Sequence, residues 1–266
     1  MEGAYRDKYS FVDTRKLLHK DVQVTFAMIK PLPTNIVGKI LNHLHENGLR
    51  ITKMKKTRLT ADDINILYRS LIGDPTFPFL LEHLNEQLVY GMELVGKNAV
   101  SHCLKILGHK DPLKAEPGTI RALYGSDSVK NCVHAASNSD AALQDIEYFF
   151  PPAPLHAMRL RLTASLSNCT LCIVKPHAIR EGKLGSALEI IDEGGFEVTA
   201  LNMFMVESDN AAEFYEVYKG IVQEYKGMVE ELSSGPCVAM EIVSKDKSLN
   251  TAVEFRKLVG PVDPIG

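Results

Sequence analysis

The sequence holds no apolar run near the roughly 20 residues that cross a bilayer as a helix, and its first 20 residues (MEGAYRDKYSFVDTRKLLHK) lack the apolar stretch of a signal peptide. A cytoplasmic chain with no membrane partner is expected. An excess of charge of either sign is also missing. Thirty Lys and Arg against 33 Asp and Glu leave a formal net charge of −3, without the basic footprint that nucleic acid requires, so no nucleic-acid partner is expected. Cysteine is scarce, and five in a chain of 266 residues, an odd number, make no disulfide framework. Cys169 and Cys172 form a C-x-x-C inside the apolar run CTLCIV, with no second pair and no histidine at ligand spacing. They read as strand residues, with redox or metal roles the lesser alternatives, and no resident metal site is expected. What is present, 45% hydrophobic and 24% charged residues, suits soluble globular structure with room for about two domains.

The two domains read as copies of each other when residues 24–150 are laid over 168–266. VTFAMIKP, ending at Pro31, matches TLCIVKPH around Lys175 and Pro176, and GKILNHLHENGLRITKMKKTRLT matches GSALEIIDEGGFEVTALNMFMVE. Further on, ADDINILYRSL matches NAAEFYEVYKG, VYGMELVG matches CVAMEIVS, and LKILGHKDP matches RKLVGPVDP. Helix-period stretches stopped by Gly48 and by Gly194–Gly195, each followed by a β-like run, give the order β-α-β-α-α-β in each copy. The first copy continues through a turn at Pro117 and Gly118, a strand-like or loop segment, a helix near 139–145 and an aromatic end at Tyr148–Phe150. The predicted class is α+β, two tandem ferredoxin-like sandwich domains at 22–150 and 168–266, the second incomplete. Residues 1–21 read as an N-terminal arm, and the proline-led stretch 151–167 as a linker.

One cluster in the first copy carries chemistry: Lys30 at a strand end, Arg121 after a turn, His134 following Asn131, and Asp145 on the helix beyond. Two cations, an imidazole that is half-neutral near pH 7 and a carboxylate to orient it are what phosphoryl transfer through histidine requires. Taken singly, each member has a plainer reading, since a lone lysine or arginine is usually solvated and a lone histidine usually structural.

These residues stand in the order and spacing of the nucleoside diphosphate kinase family. TFAMIKP resembles that family's first strand and K-P signature, EPGTIR (Glu116–Arg121) its P-G-T-I-R turn, and NCVH (Asn131–His134) the N-x-x-H that carries the phosphorylated histidine. With the GMEL strand and Leu107, Gly108 and Pro112, the resemblance covers about residues 24–150. It implies ping-pong transfer of a terminal phosphoryl group between nucleoside tri- and diphosphates, bound as Mg2+ complexes. His134 would then be the phosphoacceptor, with Asp145 holding its ring where the family has glutamate. Lys30 and Arg121 would clamp phosphates, and Tyr68 would support the phosphoryl group. Asn131 and Lys30 would reach the ribose, Lys110 would stand where a threonine meets phosphate, and Phe79 would stack on the base, a contact indifferent to base identity. The tandem arrangement resembles family members of cilia and centrosomes in which a DM10 module precedes the pair, and residues 1–21 are too few for one.

Departures from the pattern imply a weakened kinase. Leu104 stands where the family has a second phosphate-clamping arginine, a loss of roughly 3 kcal/mol or about a hundredfold in rate, with Lys105 next door a partial substitute. Ala136 replaces a serine, Asp145 has less reach than glutamate, and the first copy lacks the S-G-P before its third strand. The second copy keeps Lys175, Tyr215, Arg256 and Ser234-Gly235-Pro236, but the sequence stops before any P-G-T-x-R turn or N-x-x-H. Its His177 reads as a loop or surface residue, and an uncovered sheet edge or apolar face is expected. Two functions follow from the resemblance: a kinase acting through the first copy, or a scaffold of the ciliary or flagellar axoneme, basal body or centrosome that binds tubulin and neighbouring proteins. A monomeric chain within a larger assembly, its two copies satisfying a dimer-like contact internally, is expected.

Overall fold

The computed structural model describes residues 22–151 and 163–260. The N-terminal arm and most of the linker, with Arg159 and Arg161, lie outside the described residues. In the first copy, strands β1 (Val22–Ile29), β2 (Arg50–Arg58), β3 (Leu88–Lys97) and β4 (Val133–Ala135) lie in the order β4-β1-β3-β2, and every pair is antiparallel. Helices α1 (Thr34–Glu46), α2 (Ala61–Leu67), α3 (Phe77–Leu84), α4 (Ala99–Leu107), α5 (Ile120–Tyr124) and α6 (Ser139–Phe149) cover its faces. This is the α+β sandwich that the sequence predicts, with α6 running four residues beyond 145.

The second copy repeats the plan with β5 (Cys169–Val174), β6 (Phe196–Met205) and β7 (Pro236–Ser244) in the order β6-β7-β5. Its helices are α7 (Pro176–Arg180), α8 (Leu184–Glu193), α9 (Ser208–Phe214), α10 (Tyr225–Ser233) and α11 (Thr251–Val259). Cys169 and Cys172 are strand residues of β5, and both are free thiols.

The two sheets join edge to edge. Strand β2 pairs antiparallel with β6, Lys55 opposite Asn202, which makes one seven-stranded sheet of the described strands. Lys56 Nζ donates across the seam to the Val198 carbonyl, and Asn42 donates to Glu189 at 2.7 Å. Above the seam α1 crosses α8, where Ile40, Leu41 and Leu44 share one core with Leu184, Leu188 and Ile191. Gly38 and Gly185 permit this approach. A Cβ on Gly38 would lie 2.5 Å from the Gly185 carbonyl oxygen, and one on Gly185 would lie 2.4 Å from that of Gly38. Both obstacles are backbone, so a larger residue must push the helices apart. Gly38→Leu is therefore expected to lower the melting temperature by roughly 2–10 °C, the effect of about 1–3 kcal/mol of overpacking, and to raise amide exchange in α1 and α8. An unchanged melting curve would show that the halves are not packed there.

The segment read as linker is anchored where it is described. Thr163 Oγ1 donates to the Thr199 carbonyl at 2.8 Å, and the amides of Ser165 and Leu166 donate to the Glu241 carboxylate at 2.9 and 2.6 Å. The copies differ on one face of the sheet. Helix α6 covers Phe26, which is fully buried, whereas Leu171 at the matching place on β5 is 57% exposed. Among the described residues β5 is an edge strand.

Candidate active site

A cavity of about 590 Å3 opens in the first copy between α6, the end of α2 and the loops after α4 and α5. Its floor is the β4 edge. His134 pairs opposite Met28 of β1 and shares with Met28 and Phe26 the face that α6 covers, its ring edge-on to Phe26 at 6.2 Å between centroids. Helix α6 starts at an Asn138 cap that accepts from the Ala141 amide at 2.9 Å. Its buried stripe is Ala142, Asp145, Ile146 and Phe149, one face of a 3.6-residue period, so the Asp145 carboxylate is carried inward with the apolar residues. The stripe seats closely because Phe149 packs over Gly91, where a Cβ would lie 2.0 Å from the ring.

Asp145 Oδ2 lies 3.5 Å from His134 Nε2, the outer limit of a hydrogen bond. With the proton on Nε2, facing the carboxylate, Nδ1 is left with its lone pair. Burial pushes the His134 pKa below its usual value, opposed by the Asp145 contact and reinforced by Lys30 and Arg121. The neutral, nucleophilic form therefore dominates at pH 7.

Lys30 follows β1 directly and is 3% exposed. Its ammonium donates to the Val129 carbonyl and, at 2.7 Å, to Asn131 Oδ1. Burial, then the Arg121 charge, lowers its pKa to about 7. Asn131 is itself fixed by donating to the carbonyls of Lys110 (3.0 Å) and Ser128 (3.1 Å). Arg121 stands on α5, entered through the turn in which Gly118 takes φ +85°, and donates to the carbonyls of Gly108 and Val133, both at 2.9 Å. Tyr68 caps the end of α2, edge-on to the His134 ring at 4.6 Å, and burial raises its phenol pKa. The Tyr68 hydroxyl and Arg121 Nε are buried without a hydrogen-bond partner among the described residues. Two such donors on one cavity wall fit an anionic or polar ligand.

The cavity thus brings together Lys30, Tyr68, Lys110, Arg121, Asn131, His134 and Asp145. Phe79 is a correction: it is 63% exposed and does not line the cavity. Helix α3 turns Leu80 and Leu84 into the core, and it is Thr76, at the start of α3, together with Leu80 that reaches the wall. Lys105 is likewise exposed and off the cavity, whereas Leu104 lines it. Arg69, passed over in the sequence, lies on the wall with Nη1 3.5 Å from Asp145 Oδ1. Its adjacency to Tyr68 was the one available sign.

The second copy's counterparts are not assembled in this way. Lys175 and Arg256 are exposed, and His177 lies on the surface in α7, bonded to Glu231 at 2.8 Å. No helix among the described residues is long and apolar enough to cross a membrane.

A family model described as nucleoside diphosphate kinase matches residues 23–155 and again 168–266. Nucleoside diphosphate kinase homolog 7 of Rattus norvegicus is 36% identical over 98% of this chain, as is its Mus musculus counterpart, and the chain covers 64% of each of those proteins. A nucleoside diphosphate kinase of Actinobacillus pleuropneumoniae is 37% identical over 49% of this chain and 96% of its own length. Among solved structures, the Aquifex aeolicus nucleoside diphosphate kinase matches 48% of the chain at 29% identity with a TM-score of 0.46. With the family's model matching twice and its sequence signatures gathered around one cavity, the chain belongs to the nucleoside diphosphate kinase family.

Proposed function

We propose that the first copy transfers the terminal phosphoryl group of a nucleoside triphosphate to a nucleoside diphosphate through a phosphohistidine at His134. The observation that carries this reading is the half-buried, neutral His134, its Nε2 engaged by Asp145, beside two partnerless buried donors. Nδ1 attacks the γ-phosphorus, the N–P bond forms as the bond to the β,γ-bridging oxygen breaks, and the nucleoside diphosphate leaves. The Nε2 proton stays against Asp145, so no separate base is required. A second nucleoside diphosphate then takes the phosphoryl group by the reverse step. Lys30, Arg121 and the Tyr68 hydroxyl offset charge on the transferring group. Lys110 extends the cationic wall. Asn131, held by three hydrogen bonds, positions Lys30 and stands where a ribose hydroxyl would sit. The substrate enters as its Mg2+ complex, and the lysine, arginine and amide donors of the wall suit phosphates whose metal arrives with them. Incubation with γ-labelled ATP tests the reading: the full chain takes up label, and a folded chain that takes up none overturns it.

The weak point of the wall is Leu104. In the second copy the matching residue is Arg256, on the corresponding turn of α11. Leu104→Arg in α4 therefore directs a fixed cation into the first cavity. The expected result is a rise in kcat/KM of up to about a hundredfold. A folded variant with an unchanged or lower value would show that the existing cations already serve.

A second reading is supported by the exposed Leu171 on the edge strand β5: attachment of the second copy to tubulin or to other axonemal or centrosomal proteins, with residual or no kinase activity. Such an edge is commonly covered by a partner. Fractionation of the tagged protein tests it, since full extraction by detergent and absence from salt-washed axonemes would rule it out.

A further inference from the structure

Asp145 holds two partners at once. One carboxylate oxygen faces His134 Nε2, and the other faces Arg69 Nη1, both at 3.5 Å. The Arg69 guanidinium is fixed from two more sides: Nη1 donates to the Ile66 carbonyl at 3.0 Å, and Nη2 donates to Gln144 Oε1. It therefore ties the end of α2 to α6. The residue before it, Tyr68, lies edge-on against the same histidine. An aspartate that only just reaches its histidine needs something to hold it in place, because a carboxylate free to rotate about χ1 would release Nε2–H and let the proton sit on Nδ1.

We propose that Arg69 is a positioning residue that orients the Asp145 carboxylate so that His134 is kept as the Nε2–H tautomer, with Nδ1 free to take the phosphoryl group. The proposal rests on the phosphohistidine reading for its consequence in rate. Its structural content, the tautomer, does not depend on it. A guanidinium suits the task because its planar fork can meet the carboxylate, the Gln144 amide oxygen and a helix-end carbonyl together, and it stays charged at all physiological pH. Lengthening Asp145 to glutamate supplies by reach what Arg69 supplies by orientation, so the two positions must be coupled.

The experiment uses the full chain in four forms: wild type, Arg69→Gln, Asp145→Glu and the double variant. Two quantities are read, the single-turnover rate of labelling by γ-labelled ATP and the His134 tautomer from long-range 1H–15N correlation spectra. Arg69→Gln is expected to slow labelling about 10- to 100-fold, as small misplacements do, with nucleotide affinity unchanged and the spectrum moved toward a tautomer mixture. In the Asp145→Glu background the same change is expected to cost less than about threefold and to leave the Nε2–H form in place. Equal losses in both backgrounds, an unshifted tautomer, or a weakened nucleotide affinity, which would make Arg69 a phosphate ligand, each overturn the proposal. If the wild type takes up no label, the kinase reading fails and the tautomer alone decides the role of Arg69. If Asp145→Glu does not fold, the tautomer in Arg69→Gln decides.

Discussion

His134→Ala is expected to abolish labelling of the chain by γ-labelled ATP. The label in the wild type is expected to be lost in acid and kept in base, as an N–P bond to imidazole behaves. Among the described residues His134 is the single histidine lining the cavity. The cavity otherwise offers cations, amides, hydroxyls and the carboxylates of Asp140 and Asp145, and the Tyr68 phenol, whose pKa burial raises, is a poor nucleophile near neutral pH. The second copy has a single histidine, His177, exposed on α7 and bonded to Glu231. The substitution removes a side chain that is partly shielded between Phe26, Tyr68 and Asp145, and circular dichroism confirms the fold of the variant before it is scored. Labelling that persists in folded His134→Ala would sink the phosphohistidine mechanism. Loss of labelling with nucleotide binding retained would place the defect in the chemical step.

The second large effect is expected at Lys30. Its ammonium is buried between Asn131 and Val129, and burial, with the Arg121 charge, depresses its pKa to about 7. Below pH 7 it is charged and able to offset phosphate charge, and above pH 7 it loses its proton in the free protein. His134 has the opposite requirement. Its pKa lies below the usual 6.5, so it becomes nucleophilic as pH rises through that lower value. The profile of kcat/KM, which reports the free enzyme, is therefore expected to be bell-shaped, rising through a pKa below 6.5 and falling above about 7 by up to tenfold per pH unit. Bound phosphate favours the charged lysine, so the alkaline limb of kcat lies at higher pH. Lys30→Met is expected to lower kcat/KM by about 10²–10³-fold, the scale of one preorganised charge or donor, and to remove the alkaline limb. A limb near pH 7 that survives in Lys30→Met would assign it to another group.

Much of the site was legible because the residues that form it sit in short, geometrically demanding segments. Gly118 takes φ +85° in the turn that delivers Arg121, and Asn131 to His134 is a sharp segment in which Cys132 takes φ +61°. Such segments leave a fixed spacing in sequence. Phe79 was misplaced because a short helix carrying Phe77, Phe79, Leu80 and Leu81 offers several aromatic and apolar candidates, and only its docking shows that Leu80 and Leu84 point inward while Phe79 faces solvent. Arg69 left no comparable mark. Its partners Gln144 and Asp145 are 75 and 76 residues away, and nothing local in the sequence brings the end of α2 against α6.

By itself the sequence determined that one α/β unit occurs twice, that each unit alternates strands and helices in a fixed order, and that the first copy carries a histidine at the place where phosphoryl chemistry would need it. These follow from local causes: apolar period, glycine and proline stops, and turn residues. The tertiary structure decided what depends on edges and faces meeting. The pairing of β2 with β6 joins two sheets through backbone groups that any strand edge presents, so side-chain pattern cannot announce it. The crossing of α1 and α8 at Gly38 and Gly185 becomes visible only when two backbones lie within a carbonyl's reach. Whether matching residues form a site was decided the same way. Lys30 is buried and partnered while Lys175, in the same motif, lies exposed, because Val129 and Asn131 close over the first lysine from a hundred residues away.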